Sequence, residues 1–462
     1  MHARAVERLL FVFVVAPLFH FIRYDYLLKA AGVALILLII RWLKTRRRTR
    51  YHIGGYVAPG WEHVADVYKE SLISREEQGS SFSVYHKGVP VVDLWGGYAD
   101  PGALRYRQSD SVGLFYSTTK AVTAITLAVL ADRGQLDYDA KVSSYWPEFG
   151  QEGKEDITVK TLLSHQAGVL AIREKHKLSL SRDNPSQLAK LLASQKPMFK
   201  PNSGVAYHTL TFGLYADQLV RRIDKKGRSL AQFFREEIGD KFNIDFYIGQ
   251  PNHLHHRACR ETRAEFGVWF LLSTLIPTTA NFVIRMVYSL IRYRTIYLIH
   301  LIGNPTDWRP RRLNDPRFRE IPCGSSHGVG TARGLAKLMG ILANGGKHEG
   351  ETLLSKETID YLKKPIVTDF DRVILRNIAY GPGVAVNKVI EGRGKSHYIF
   401  GHWGAGGQMA YCDVHHQMGW AYNTNFNNIL HGFIIDHRYE ALQDAIYRCV
   451  RELASSNGRP SE

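Results

Sequence analysis

The sequence predicts an α/β fold of the α+β kind, an antiparallel sheet flanked by terminal helices with an all-α insertion. Three observations point to it. Ser80 to Gly97 reads as two short β runs around a His86-Lys87-Gly88 turn, which is a hairpin signal. Near the far end, Gly407–Asp413 and Met418–Asn423 alternate like paired strands. A long helical middle separates these two strand regions, and an amphipathic helix stands beyond each of them.

The elements follow in order. Val64, Val67, Tyr68 and Leu72 recur at helical spacing, predicting a helix over Trp61–Ser74. Ser117 to Arg133 is a mostly apolar helix, with Ala121, Ile125, Leu127, Val129 and Leu130, stopped by Gly134. Thr158–His165, Ser186–Gln195, Leu210–Ile223 and Thr331–Ala343 also read as helices. Tyr439, Leu442, Ile446, Cys449, Val450 and Leu453 mark the closing one. There is no internal repeat. The chain is therefore expected to divide into residues 1–50, a domain over 51–455 with a helical insertion at about 250–320, and a tail at 456–462.

Residues 1–50 form a separate object. Leu9 to Ile22 carries no charge apart from neutral His20; Ala30 to Ile40 is a second apolar run. Arg41, Lys44, Arg46, Arg47, Arg48 and Arg50 close the segment. Neither run reaches the ~20 residues of a straight span, but Leu27–Leu43 comes close if Lys29 and Arg41 snorkel to the two interfaces. Three readings stay open: a signal-anchor helix around Leu27–Leu43, an apolar hairpin dipping into one leaflet, and a cleaved targeting peptide. The anchor is carried forward, since no A-x-A-like cleavage site follows. The basic run then leaves residues 51–462 on the cytoplasmic face of a membrane.

Composition excludes several classes. Apolar residues make up 45% and charged residues 22%, which rules out a disordered tail protein, a collagen and a polytopic transporter. Cys259, Cys323, Cys412 and Cys449 include no CxxC pair, so a zinc ribbon, a dithiol site or a disulfide scaffold is not expected. The net charge of +17 comes without a nucleic-acid-binding motif, and no nucleic-acid partner is expected. Much of that charge lies beside apolar stretches. Phe266–Ile302 is one, punctuated by Arg285, Arg292 and Arg294 and broken by Pro277. It reads either as a helical cover over the core or as an interfacial helix pair on anionic lipid.

The chemistry centres on Ser117-Thr118-Thr119-Lys120. A serine opening a helix has its Oγ near free N–H groups and the positive end of the dipole. A lysine three residues on shares that face. In a dry pocket its amine is pushed toward the neutral form, which can accept the serine proton. Downstream stand Pro201-Asn-Ser-Gly204 and Tyr207-His208-Thr209, and near the end Gly401-His-Trp-Gly-Ala-Gly-Gly407.

This ordered set resembles the serine β-lactamase and penicillin-binding-protein superfamily, most closely its class C, carboxylesterase and LACTB-like branch. Leu162-Leu-Ser-His-Gln-Ala-Gly168 and Gly328-Val-Gly-Thr-Ala-Arg-Gly-Leu-Ala336 add to the resemblance, which runs from about residue 55 to about 455. It implies a β-lactamase/transpeptidase-like fold, Ser117 as acylated nucleophile, Lys120 as base and Tyr207 in the proton relay. It implies an oxyanion hole from the N–H groups of Ser117 and Ala405, with Thr209, His402, Trp403 and Gly404 facing the substrate. Two departures matter. The family's Tyr-x-Asn ends in Thr209, and its Lys-Thr-Gly reads His402-Trp403-Gly404, without the cation and hydroxyl that grip a lactam carboxylate. An ester, amide or peptide substrate is favoured over a β-lactam. No cofactor or metal is implied.

Other motifs compete. Gly324-Ser-Ser-His-Gly328 matches the G-x-S-x-G elbow, but the arginine-rich stretch before it cannot be the buried strand the elbow needs, which disfavours Ser326. His253-Leu-His-His256 lacks carboxylates and makes a poor metal site. His415-His416 fits a hairpin turn with no function, and Ser164-His165 reads as a helix terminus. His402 reads equally as an active-site wall or a packed strand residue. The sequence thus predicts a membrane-anchored serine hydrolase acting on a small-molecule, lipid-like or peptide substrate. A catalytically weak scaffold assembling as a homo-oligomer at a membrane is the alternative.

Overall fold

Alternation at the two ends of the chain resolves into one sheet. The computed structural model describes residues 52–73, 77–263, 305–308, 310–390, 396–427 and 437–457, with Lys29 and Gly32 besides. The chain divides into two units, residues 1–50 and 51–462. In the second unit the strands are β1 (Ile53–Val57), β2 (Gly79–His86), β3 (Val89–Asp100), β4 (Val367–Asp371), β5 (Arg376–Tyr380), β6 (Ala385–Ile390), β7 (Ser396–Trp403), β8 (Met409–Asp413) and β9 (Met418–Thr424). They lie in the order β1-β3-β2-β9-β8-β7-β6-β5-β4, and Arg105–Tyr106 adds a tenth short strand beside β3. Every pairing along this path is antiparallel.

The predicted hairpin is β2–β3. Lys87 (φ +52°) and Gly88 (φ +82°) both sit in the left-handed region, the conformation of a two-residue turn whose twist matches its strands. β8 starts at Met409 rather than Gly407, because residues 404–407 turn back from β7. Sequence alternation did not reveal β4, β5 and β6. Their burial is irregular, with exposed residues in adjacent positions in β4 and β6, so no clean period of two survives.

Helices cover both faces. The predicted N-terminal helix is α1 (Glu62–Ile73) and the closing helix α5 (His437–Asn457). Trp61, Val64, Tyr68 and Leu72 meet Tyr439, Leu442, Ile446 and Cys449 in one apolar cluster with the sheet. On the other face, α4 (Ala332–Ala343) lies across β2, β8 and β9. Gly419 is required there: a Cβ on it would stand 2.1 Å from the Gly340 backbone nitrogen.

Behind this layer run α2 (Thr119–Asp132) and α3 (Thr211–Ile223). Residues 119–130 of α2 are all buried, so it is apolar all round rather than on one stripe. The predicted helices near residues 158 and 186 are Val159–Leu163, capped by Thr158, and Pro185–Ala193, capped by Asn184. The four cysteines are buried and unpaired with one another. Of the predicted insertion, the structure describes short 3₁₀ turns at Asn252–Arg257 and Pro310–Asn314 and a helical turn at Pro316–Arg319. Phe266–Ile302 and, Lys29 and Gly32 aside, the apolar runs before residue 50 lie outside the described residues. Among the described residues no helix is long and apolar enough to cross a membrane.

Candidate active site

Ser117 stands in a single 3₁₀ turn, Tyr116–Thr118, that feeds straight into α2. The helix expected to begin at Ser117 thus becomes regular two residues later. Tyr116 holds φ +46°, a costly conformation for a side chain of its size. Tertiary contacts impose it: the Tyr116 hydroxyl donates to Glu261 (3.0 Å), and Asn427 Nδ2 donates to both Tyr116 Oη and Glu261 (2.7 Å each). Gly113 and Leu114, just upstream, pair with the short strand Gly328–Gly330.

Lys120 is fully buried one turn on. Its Nζ donates to Ser117 Oγ (3.3 Å) and to the carbonyls of Thr209 (2.8 Å) and Ser325 (3.0 Å), and lies 4.6 Å from the centre of the Tyr207 ring. Burial penalises the ammonium and brings its pKa down to about 7. The amine is therefore held in place by two neutral dipoles while half of it is free of the extra proton near neutrality.

Tyr207 closes the triangle. Its phenol bonds Ser117, and burial pushes its pKa far above the ordinary value, so it stays protonated. His402 Nε2 lies 3.4 Å from the Tyr207 hydroxyl. His402 Nδ1–H donates to the Trp403 carbonyl at 2.6 Å, which leaves Nε2 to accept from the phenol. Burial, with the Lys120 charge, lowers the His402 pKa to about 3, so the ring is neutral. His402 is thus a buried strand residue whose ring reaches the Tyr207 hydroxyl.

The structure thus gathers Ser117, Lys120, Tyr207 and His402. Thr209 contributes through its carbonyl, as above. Trp403 stacks on His402 (4.6 Å) with the Arg376 guanidinium 4.7 Å above its ring. Trp403 and Gly404 also line a groove of about 1070 Å³ beside α5 that includes none of Ser117, Lys120 and Tyr207. Gly404 ends β7 with its N–H on Gln408 O (2.6 Å), and Ala405 is exposed in the following turn.

Four supporting residues escaped the sequence reading. Asp371 accepts the backbone N–H groups of Tyr207, Val373 and Ile374 and the Tyr380 hydroxyl, fixing the Tyr207 backbone. His165, at φ +63° just past Val159–Leu163, accepts the His208 N–H on Nδ1 (3.1 Å) and packs 4.8 Å from the Tyr207 ring. His208 in turn accepts the Val169 N–H on Nε2 (3.2 Å). The motifs holding both histidines were visible, but not that they touch. Ser325 is the fourth: the G-x-S-x-G segment supplies its carbonyl to Lys120. Ser326, the rival nucleophile, is buried, and its hydroxyl contacts Cys323 Sγ (3.5 Å) and His327 Nδ1 (3.2 Å). A helical turn rather than a strand precedes the segment, as the sequence argued. In the other histidine group, His255 bonds Gln250 and His253 packs edge-on to Tyr247.

The beta-lactamase family model matches residues 64–445. The esterase/beta-lactamase LipL of Mycobacterium tuberculosis is 30% identical over 415 residues, covering 87% of this chain and 88% of LipL. A family VIII carboxylesterase superposes with a TM-score of 0.74 at 32% identity, over 86% of this chain and all of its own. EstA from Arthrobacter nitroguajacolicus superposes with a TM-score of 0.70 at 27% identity, over 87% and 100%.

Proposed function

The chain belongs to the beta-lactamase family, within the superfamily of serine β-lactamases and penicillin-binding proteins, and on that premise we propose that it is an acyl-enzyme hydrolase of esters or amides with Ser117 as nucleophile. The observation that carries this reading is the buried amine of Lys120, 3.3 Å from Ser117 Oγ, with a pKa near 7. Neutral Lys120 takes the Ser117 proton as Oγ adds to the substrate carbonyl. The resulting oxyanion faces the N–H groups of Ser117 and Ala405, each such donor contributing ~10²–10³ in rate. Protonated Lys120, through the Tyr207 hydroxyl, returns that proton to the leaving alcohol or amine as the acyl bond breaks. Water then adds to the acyl carbon and gives a proton to Lys120 by the same route; the bond from Ser117 Oγ to the acyl carbon breaks, Oγ takes that proton back, and the carboxylic acid leaves. Tyr207 serves as conduit rather than base, because its pKa is too high for a phenolate at neutral pH.

Substrate class follows from charge. A neutral His402 and an indole stand where the family places a cation and a hydroxyl, which supports an acyl group without a carboxylate. The names of LipL and of the carboxylesterase point the same way. A fluorophosphonate probe should label the wild type and not Ser117→Ala; labelling that survives Ser117→Ala but disappears in Ser326→Ala transfers the site to the elbow segment. Attachment to a membrane through residues 1–50, with the hydrolase domain on the cytoplasmic side, rests on the apolar and basic runs of that segment. Alkaline-carbonate extraction that releases the full chain from membranes would contradict it.

A further inference from the structure

The antiparallel pairing of β7 with β8 gathers three histidines that are scattered in sequence. His397 lies near the start of β7, and His415 and His416 form the turn between β8 and β9. The ring centres of His397 and His415 are 4.7 Å apart and nearly parallel; those of His397 and His416 are 5.1 Å apart, and those of His415 and His416 4.8 Å. One nitrogen of each ring lies within 4.8 Å of the other two.

Beneath them is Asp413, whose side chain is wholly buried. Its Oδ2 accepts from His397 Nε2, His416 Nδ1 and the Tyr447 hydroxyl, each at 2.9 Å. Its Oδ1 accepts the backbone N–H groups of His415 (2.9 Å) and His416 (3.1 Å). A carboxylate that orients imidazoles through one ring nitrogen is the outer-shell pattern of metal-binding histidines.

We propose that His397, His415 and His416 bind one divalent, imidazole-preferring metal ion, Zn²⁺ foremost, with Asp413 orienting two of the rings. Zn–N bonds of ~2.0–2.1 Å set about 3.4 Å between tetrahedral ligands. Rotation of the exposed His415 ring shortens the longer spacing. Three imidazoles leave the fourth position for water. The ion would pin the start of β7 to the β8–β9 turn and, through Asp413 and Tyr447, to α5. It would sit at the end of β7 remote from His402.

The test is equilibrium dialysis of the metal-stripped full chain against ZnCl₂, with Co²⁺ absorption as a second readout. Wild type should take up one equivalent at this site. His415→Ala, whose ring is exposed and not needed for folding, and His397→Ala should each weaken uptake at least tenfold, as loss of even an outer-shell partner weakens metal sites ~10–100-fold. The visible Co²⁺ band should vanish with them. No uptake by wild type, unchanged affinity in His415→Ala, or a loss confined to His253→Ala would overturn the proposal.

Discussion

A buried lysine usually destabilises a protein, and Lys120 is tolerated because its ammonium hydrogens meet Ser117 and two carbonyls. On the proposed reading the same burial makes it the base. Below pH 7 the amine is protonated and has no lone pair for the Ser117 proton; above it the amine is neutral. kcat/KM should therefore fall about tenfold per pH unit on the acid side of a limb near 7. Tyr207→Phe should lower kcat and leave that limb in place; a limb that disappears would make the phenol the base. Asp371→Ala should cut kcat at least tenfold and also lower the thermal midpoint, since it frees the backbone of Tyr207 and leaves the buried Tyr380 hydroxyl without its acceptor. Ser117, Lys120 and Tyr207 were legible in the sequence because their motifs are local and ordered. Asp371 and His165 were not, because each acts on Tyr207 from far along the chain, and spacing carries no trace of such contacts.

At the scale of elements, the face-to-face contact of α4 with β9 tolerates no side chain. Gly419→Ala would push a methyl group onto the Gly340 backbone, which cannot swing aside as a long side chain can. Overpacking of this kind costs ~1–3 kcal/mol, and a lowered thermal midpoint should report it. On the opposite face Leu442 is fully buried between α5 and α1, so Leu442→Ala should cost ~2–5 kcal/mol in denaturant unfolding. A result under ~0.5 kcal/mol for either, the range of surface changes, would mean that these layers do not pack as described. α1, α3, α4 and α5 were readable from sequence because 3.6-residue periodicity survives partial burial, and α2 as a continuous apolar run. β4–β6 lie at the sheet's far edge, where burial does not alternate, and the pattern that would announce them is missing.

For the whole molecule, the decisive feature is that the sheet is assembled from both ends of the chain: β2 from the N-terminal hairpin pairs with β9 near the C-terminus, Trp420 opposite Val84. That pairing places β7, and with it His402, alongside the start of α2, where Ser117 and Lys120 stand. Neither the hairpin nor the final strands would make this site alone. The sequence reading reached the sheet and its flanking helices through the two terminal patterns, and reached the family through motifs spread over much of the chain. What joins them is long-range pairing, which local periodicity does not encode. Intact-mass analysis with peptide mapping, after incubation with p-nitrophenyl esters of graded acyl length and a β-lactam, tests the outcome most directly. An acyl adduct from the esters on Ser117, absent in Ser117→Ala and slow or missing with the β-lactam, is the predicted result. An adduct on another serine, or none from any ester, would contradict it.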